Sequence, residues 1–558
     1  MKIKTPLSTY GLLAGFLLDI SSVVAQNCST LLTWTPTQRI NLIEWDKFPA
    51  FSLPFTIVYE GPRFGDTQSR PLRHGFSHLA TFSGSESSTL PVAKRAITWY
   101  HVATDANTQP WAERNLESPW ANDLELYRRT WRNQLAGYAN FFDESRGKGV
   151  PNYDLISLDI ERIHDTDREI LGIKNNPRVP AAYRALSDAQ FVERYKRDMQ
   201  KLYASPINFM RGIVPATTKV GSYSDVMVRG SFNNWLGMSI IPWKDWSTNL
   251  NYVLHVMRDT LTGKVGGTFY NQLNFLTPSC YYYYNYDTSP LGKDYLAYLL
   301  FVIEANRAWS DKPIIPYVWL RYHDAFNPNI PFVPPFVAEA TAIFPFFSGA
   351  KGLWLWEGPV ENTRQDNYAV YEHFIAGLYR LSQFKSFFEG THELVIPQPA
   401  VEYAKSKTPI WRGVVKDKEI LIAAQNPYAT SDQQTIPLTL RYRNWQQTIT
   451  LTGREVFLCK FDLGDVAAMV PVSPFKLTVA PNPVQKQIAF SFESPTTSDG
   501  EISVVDLTGK VIVKETFEPT LGIQNRALSV ADAPVGMYVL RLRLGDEVET
   551  QRVIVTKF

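Results

Sequence analysis

The sequence predicts a multidomain protein, a βα-repeated barrel of the TIM type followed by two small all-β sandwiches. Three observations carry this expectation. Apolar strand-like runs alternate with helical stretches from about residue 55 to residue 356. After residue 391 the texture changes to short alternating runs separated by turn residues. The chain of 558 residues is 45% hydrophobic and 13% aromatic, more interior than one core usually serves.

The barrel strands are assigned to seven runs: FTIVYEG from Phe55, AITWYHV from Ala96, LISLDIE from Leu155, KVGSYSDV from Lys219, FLTPSCYYYY from Phe275, IIPYVWLRYHD from Ile314 and KGLWLWEG from Lys351. Residues 188–203 and 293–309, with apolar and charged side chains at helical spacing, are expected helices between them. The first sandwich rests on KEILIAAQNPYA, TIPLTLRYRN and QTITLTGREVFLCKF. The expected boundaries are 1–25 for an export signal, 26–390 for the barrel, 391–472 for the first sandwich and 473–558 for the second.

The export signal is read from Lys2 and Lys4, the apolar run over 10–20 and the small residues before a cut after Ala25. That run is too short to span a membrane and contains Asp19, and no later segment is long enough. Asn27 precedes Cys28 where a lipid-anchored signal needs a small residue, so no lipid is expected. The 56 basic and 54 acidic residues leave a net charge of +2, and no basic block interrupts the chain. Neither nucleic acid nor an anionic membrane is therefore an expected partner.

Cys28, Cys280 and Cys459 permit one disulfide at most, so the core rather than a disulfide framework must hold the fold. His74 and His78 are four apart, but Gly75 and Ser77 between them weaken a helical metal site, and a surface pair is expected. No metal ligands are expected. No glycine-rich phosphate loop follows a strand, so no cofactor is expected either.

The run YDLISLDIE, from Tyr153 to Glu161, is the most informative. A buried parallel strand stops on two carboxylates at i and i+2, so Asp159 and Glu161 would share one face at its C-terminal end. In a βα-barrel that end opens onto the active site, and paired acids there are what glycosidic bond cleavage requires. Close placement of the two would also raise one pKa, as a general acid needs near neutral pH. An acid just after a strand also caps a helix or turn, and Asp165 and Asp167 compete for that duty. Glu357 follows Trp356 at another strand end and is a third candidate acid, against a helix-starting role.

Aromatic residues gather at the same ends, among them Trp99, Tyr223, Tyr281, Tyr317, Trp319 and Trp356. Sugars stack their C–H faces on such rings, so these residues are candidate binders of a carbohydrate. Half of any strand's aromatics point into the helix layer instead. Arg321 is open to two readings, a clamp for an anionic sugar carboxylate or a partner for Asp159.

From Leu477 the chain reads VAPNPV, then a D-x-x-G-K turn at Asp506 to Lys510, then G-x-Y-x-L at Gly536 to Leu540, and it ends in a basic strand. In this order the motifs resemble the type A sorting domain of the type IX secretion system. The resemblance covers about the last eighty residues. It implies the secretion machinery as a partner and a location outside the cell or attached to its outer surface.

A second resemblance covers the barrel, which is similar to hyaluronidase-type glycoside hydrolases and more distantly to family 18 chitinases. It rests on LDIE at Leu158 to Glu161, TPSCYYYY with Pro278, Ser279 and Tyr281, YVWLRY with Tyr317, Arg321 and Tyr322, and GAKGLWLWEG with Gly349, Ala350, Gly352 and Trp356. Ile160 stands where that family has an aromatic residue, Ser157 replaces an acid of the chitinase pattern, and the family's cysteines are missing. The resemblance implies a glycoside hydrolase in which Glu161 protonates the leaving oxygen, the sugar's 2-acetamido group attacks, Asp159 orients that group and Tyr281 binds its carbonyl. A carbohydrate-binding barrel without activity and a structural surface protein are the alternative expectations. The first would tie Glu161 to Arg162 or Arg321.

Overall fold

The structure, a computed structural model, describes residues 27–82, 86, 89–100, 102–103, 117–120, 122–139, 152–161, 163–259, 261–358, 365–464, 477–479, 481–494, 499–506, 509–520, 522–545 and 547–556. The expected export signal and Arg162 lie outside the described residues. The described residues form two compact units, one reaching residue 438 and resuming over 450–462, the other made of 439–449 and 463–558.

The first unit opens with the two-residue strand β1 (Asn27–Cys28) and then builds a parallel system from β2 (Thr56–Glu60), β3 (His78–Leu79), β4 (Ala96–Trp99), β5 (Leu155–Leu158), β6 (Lys219–Ser222), β7 (Tyr317–Val318) and β8 (Gly352–Trp356). β2 pairs in parallel with β3 on one side and β8 on the other. A parallel bridge from Leu79 to Arg95 leads on to β4, which pairs with β5, and β5 with β6. The run from Phe275 forms no regular strand. It still continues the order through parallel bridges Tyr223 to Thr277, Leu276 to Ile314 and Ser279 to Tyr317. β7 then pairs with β8, and the parallel pairing has returned to β2. The short strand β3 supplies a place in this order that the seven sequence runs left empty.

Alternation fixes what each strand shows to either side. Ile57, Tyr59, Leu353 and Leu355 join a large cluster with the buried helices Tyr295–Arg307 and Pro335–Phe347. Ile97, Trp99, Ile156, Leu158 and Ile160 pack with the long helix Asp188–Arg211. The opposite parity, Val58, Ala96, Leu155, Phe275, Ile315, Tyr317 and Trp354, forms a separate core. Gly221 makes room for it, since a Cβ there would stand 2.4 Å from the Phe275 ring. Helix Asp188–Arg211 starts where the sequence places it, with a reciprocal cap between Ser187 and Gln190, and runs further than expected, carrying Pro206 inside it.

After the parallel system come β9 (Glu393–Val395), β10 (Ile410–Lys416), β11 (Glu419–Gln425), β12 (Thr435–Tyr442), β13 (Trp445–Thr452) and β14 (Phe457–Asp462). β12 and β13 pair with each other. The others form an antiparallel sheet in the order β1-β14-β11-β10-β9. Where the sequence suggests a free-standing sandwich over 391–472, this sheet borrows β1 from near the start of the chain. Ile410, Val414, Leu421 and Leu458 share one core with the helices. A two-residue strand carries no periodicity that sequence reading can detect. Cys28 and Cys459 face each other in register and are disulfide-bonded across 431 residues, while Cys280 is buried and unbridged. Glu304 and Arg412, both buried, form an ion pair between helix Tyr295–Arg307 and β10.

The second unit contains β15 (Thr478–Val479), β16 (Gln487–Ser494), β17 (Gly500–Val505), β18 (Val511–Phe517), β19 (Gly522–Ser529), β20 (Gly536–Leu544) and β21 (Glu547–Val555). They make two antiparallel sheets, β15-β16-β19 and β18-β17-β20-β21. Ile488, Phe490, Val504, Leu540, Leu542 and Val553 fill the core. The D-x-x-G-K motif is a turn. Lys510 N–H donates to Asp506 Oδ1 at 3.0 Å, Asp506 N–H donates to Lys510 O at 3.0 Å, and Gly509 supplies a φ of +89°. Tyr538 of the G-x-Y-x-L motif is buried and donates to Pro534 O at 2.8 Å.

Candidate active site

The C-terminal ends of the parallel strands bring several chemically active side chains together. β5 ends at Leu158, and Asp159 N–H donates to Trp99 O at 3.1 Å, which carries the chain one residue further beside β4. Asp159 has the inward parity of Leu155, while Ile160 is buried in the outer cluster. Glu161 does not continue the extended strand: its φ is +50°, in the left-handed region that residues other than glycine seldom adopt. The two acids are thus not held as successive residues on one face of an extended strand. Asp159 is half-buried and Glu161 is exposed. Burial is the main cause that raises the carboxyls of Glu60 and Asp225 and the phenols of Tyr223 and Tyr283; the charge of Asp159 adds to the first pair and that of Glu161 to the second.

Glu60, the last residue of β2, is the functional candidate that sequence reading missed. Its Oε2 accepts from Thr98 Oγ1 at 2.6 Å and from Trp354 Nε1 at 2.5 Å, and its Oε1 accepts from Tyr100 Oη at 2.8 Å. Tyr100 Oη in turn accepts from Trp356 Nε1 at 2.7 Å. Burial raises the Glu60 carboxyl above the usual carboxylate range, against the pull of these three hydrogen bonds. The signal was present: FTIVYEG, like LISLDIE, is an apolar run that stops on an acid.

Beside Glu60 lies a continuous set of rings. Tyr281 stacks on Trp356 with centroids 5.3 Å apart and meets Trp319 edge-on at 5.6 Å. Tyr223 lies 5.7 Å from Tyr281 and 4.9 Å from Tyr317, which stacks on Trp354 at 5.0 Å. Tyr223 and Trp356 are half-buried, whereas Tyr281, Tyr317 and Trp319 are buried among the others. Trp99 does not belong here. It faces the helix layer, donates from Nε1 to Gln134 Oε1 at 3.1 Å and meets Trp131 edge-on. One step along the strand reverses the face, so Tyr100 holds the place that the sequence offered to Trp99.

Glu357 and Arg321 are occupied with each other. Arg321 Nε donates to Glu357 Oε1 at 2.5 Å, and the two side chains are 2% and 4% exposed. Tyr371 Oη donates to Glu357 Oε2 at 2.7 Å, and Arg321 also binds Asp366, Tyr368 Oη and Ile330 O. The Arg321 guanidinium lies 3.6 Å over the Phe332 ring. This satisfied network corrects two readings: Arg321 pairs with Glu357 and Asp366 rather than Asp159, and Glu357 is a buried ion-pair partner rather than an acid open to a substrate.

His74 and His78 are not a surface pair. His74 is buried between Arg70 O and Phe48 O, and His78 Nε2 bonds Asp154 Oδ2 at 3.1 Å. Gly75 between them, at φ +86°, turns the chain from a helix into β3, which sends both rings inward. Among the described residues, no group of three or more His, Cys, Asp or Glu side chains is placed to hold a metal ion.

Comparison with known proteins gives one firm result. Residues 478–556 match the model of the secretion system C-terminal sorting domain. No curated protein sequence matches the chain. Among solved structures, bee venom hyaluronidase is 12% identical over 58% of this chain and 99% of that one, with a TM-score of 0.35. The β-galactosidase of a psychrophilic Marinomonas is 12% identical over 60% and 59%, at 0.33. A glycoside hydrolase family 5 protein of Bacteroides vulgatus is 10% identical over 57% and 83%, at 0.26. Among the described residues no helix is long and apolar enough to cross a membrane. The chain ends in a sorting domain of the type IX secretion system, which directs it out of the cell or onto its outer surface.

Proposed function

We propose that the protein is an exported glycoside hydrolase whose first unit is a TIM-type barrel acting on a polysaccharide or glycan. The observation that supports this reading is the ring cluster of Tyr223, Tyr281, Trp319 and Trp356, with Tyr223 within electrostatic reach of Glu161 and Glu60 within that of Asp159. Acids beside apolar ring faces are what a site needs to grip a sugar and protonate its leaving oxygen. The left-handed backbone of Glu161 supports it, because strain of this kind gathers where a side chain must be aimed at a ligand.

In this reading Glu161 is the general acid and Asp159 its assistant. Glu161 gives its proton to the glycosidic oxygen as the anomeric C–O bond breaks. With an N-acetylated sugar, the acetamido carbonyl oxygen attacks the anomeric carbon, Asp159 holds the acetamido nitrogen, and Tyr281 hydrogen-bonds the attacking oxygen. Water then opens the cyclic intermediate and Glu161 recovers its proton from it. Glu357 has no part in this scheme, since Arg321 and Tyr371 occupy both of its oxygens.

The test is hydrolysis of a panel of chromogenic glycosides and N-acetylated polysaccharides by the full chain freed of its export signal, beside Glu161→Gln. Turnover of N-acetyl substrates that the variant lacks is the expected result. A wild type that binds polysaccharide yet cleaves nothing would replace this reading with a carbohydrate-binding barrel.

A further inference from the structure

We infer that Glu60 is a positioning residue of the proposed glycosidase site, orienting Tyr100 and Trp356 through a one-way hydrogen-bond relay and placing a fixed negative charge behind the reacting carbon. The inference rests on the reading of the site given above.

An indole N–H only donates. Trp356 Nε1, 2.7 Å from Tyr100 Oη, therefore makes that oxygen an acceptor, and the single Tyr100 proton is directed to Glu60 Oε1 at 2.8 Å. Trp354 Nε1 likewise makes Glu60 Oε2 an acceptor, and Thr98 Oγ1 lies 2.6 Å from the same oxygen. Both oxygens of Glu60 receive protons, which is the pattern of a carboxylate and not of a carboxylic acid. The relay runs Trp356 to Tyr100 to Glu60 and ends on the charge. It joins β2, β4 and β8, the strands whose ends carry these four partners.

The charge has no cation beside it. Among the described residues its partners are all neutral, and no basic side chain lies within ion-pair reach of its carboxylate. Glu60 is half-buried, and holding a carboxylate partly out of water on neutral donors alone is costlier than holding a neutral side chain of the same shape. Where a charge is retained at such a cost, the reaction is the place to look for its use. Glycoside cleavage builds positive charge on the sugar ring in its transition state. Glu60 ends β2 on the inward parity of Val58, as Asp159 follows β5 on the inward parity of Leu155, so both acids lie at the same end of the parallel strands, and after burial the charge of Asp159 adds to what raises the Glu60 carboxyl. A preorganised anion there stabilises the developing cation without having to reorganise. Trp356, oriented by the same relay, is the ring on which Tyr281 stacks.

Glu60→Gln keeps the shape, removes the charge and offers Tyr100 a donor where it now finds an acceptor. Measured beside wild type and Glu161→Gln on the best substrate found, it is expected to lower kcat about a hundredfold while KM stays within about threefold. Tyr100→Phe, which breaks the relay but leaves the charge, is expected to lower kcat about tenfold. Thermal unfolding checks that each variant is folded. If Glu161→Gln is inactive while Glu60→Gln and Tyr100→Phe keep the wild-type kcat, the inference fails and the proposed function stands. A change in KM alone, with kcat intact, also overturns it. If Glu60→Gln does not fold, an unchanged kcat in Tyr100→Phe overturns the inference by itself. A wild type that cleaves no glycoside removes both.

Discussion

Burial decides which titratable residues of the first unit are open to chemistry and which only report on stability. His255 is 2% exposed, with Nε2 2.9 Å from His164 O, so the ring is neutral and donates from that nitrogen. Burial pushes its pKa down to about 3, whereas in the unfolded chain it titrates near its ordinary value. Below about pH 6.5 the unfolded chain takes up a proton that the folded chain refuses. Stability from His255 is therefore whole above that pH and drains away down to about 3, with about 2 kcal/mol lost by pH 5. Asp225, raised to about 6 by burial, acts in the opposite sense, its penalty easing as pH falls below 6. Comparing His255→Gln with wild type by denaturant unfolding isolates the histidine: their stability difference should shrink by about 2 kcal/mol between pH 7 and pH 5. A difference that stays constant would show that the ring titrates normally. Asp159 and Glu161 were legible in the sequence because an apolar run halted on them. Glu60 halted a run too, but it stood alone, and nothing in one strand tells which neighbours will point protons at its last residue. Arg321 and Glu357 were legible as candidates and not as partners, because they stand 36 positions apart in the chain.

At the scale of elements, parity was the weak point of the sequence reading. The strand runs from residues 55, 96, 155, 219, 314 and 351 stand where the apolar texture placed them. Whether Trp99 or Tyr100 entered the site depended on a register that only the paired neighbours β4 and β5 supply. β3 escaped because two residues cannot show a period, and the run from Phe275 is read correctly as an order of contacts although it holds no regular strand. The inward packing is tight enough to test through Gly221 in β6. Gly221→Ala sets a methyl 2.4 Å from the Phe275 ring, which cannot swing aside inside a filled interior, and is expected to cost about 1–3 kcal/mol. Thermal or denaturant unfolding measures this, and pairing the change with Phe275→Leu should recover part of the loss. An unaltered midpoint in the single variant would mean that the Phe275 ring does not fill that interior.

At the scale of the molecule, the two units were legible to different degrees. The sorting domain was read from its turn chemistry, because Asp506, Gly509 and Lys510 make their contacts within five residues. The five-stranded sheet of the first unit was only half legible, since β1 and β14 meet across most of the chain. Their disulfide closes a loop of 431 residues, so it limits the unfolded chain far more than it shapes the folded one. Reducing it, or changing both Cys28 and Cys459 to Ser, is expected to lower the stability of the first unit by about 2–4 kcal/mol, read as a lower unfolding midpoint with the proposed activity intact at low temperature. No shift on reduction would mean that the sheet holds β1 by its other contacts alone. The same bond makes most of the first unit a covalent circle. A protease outside the cell that cuts one of its loops opens the circle without releasing a fragment, and the strands on either side of the nick remain tethered within reach of each other.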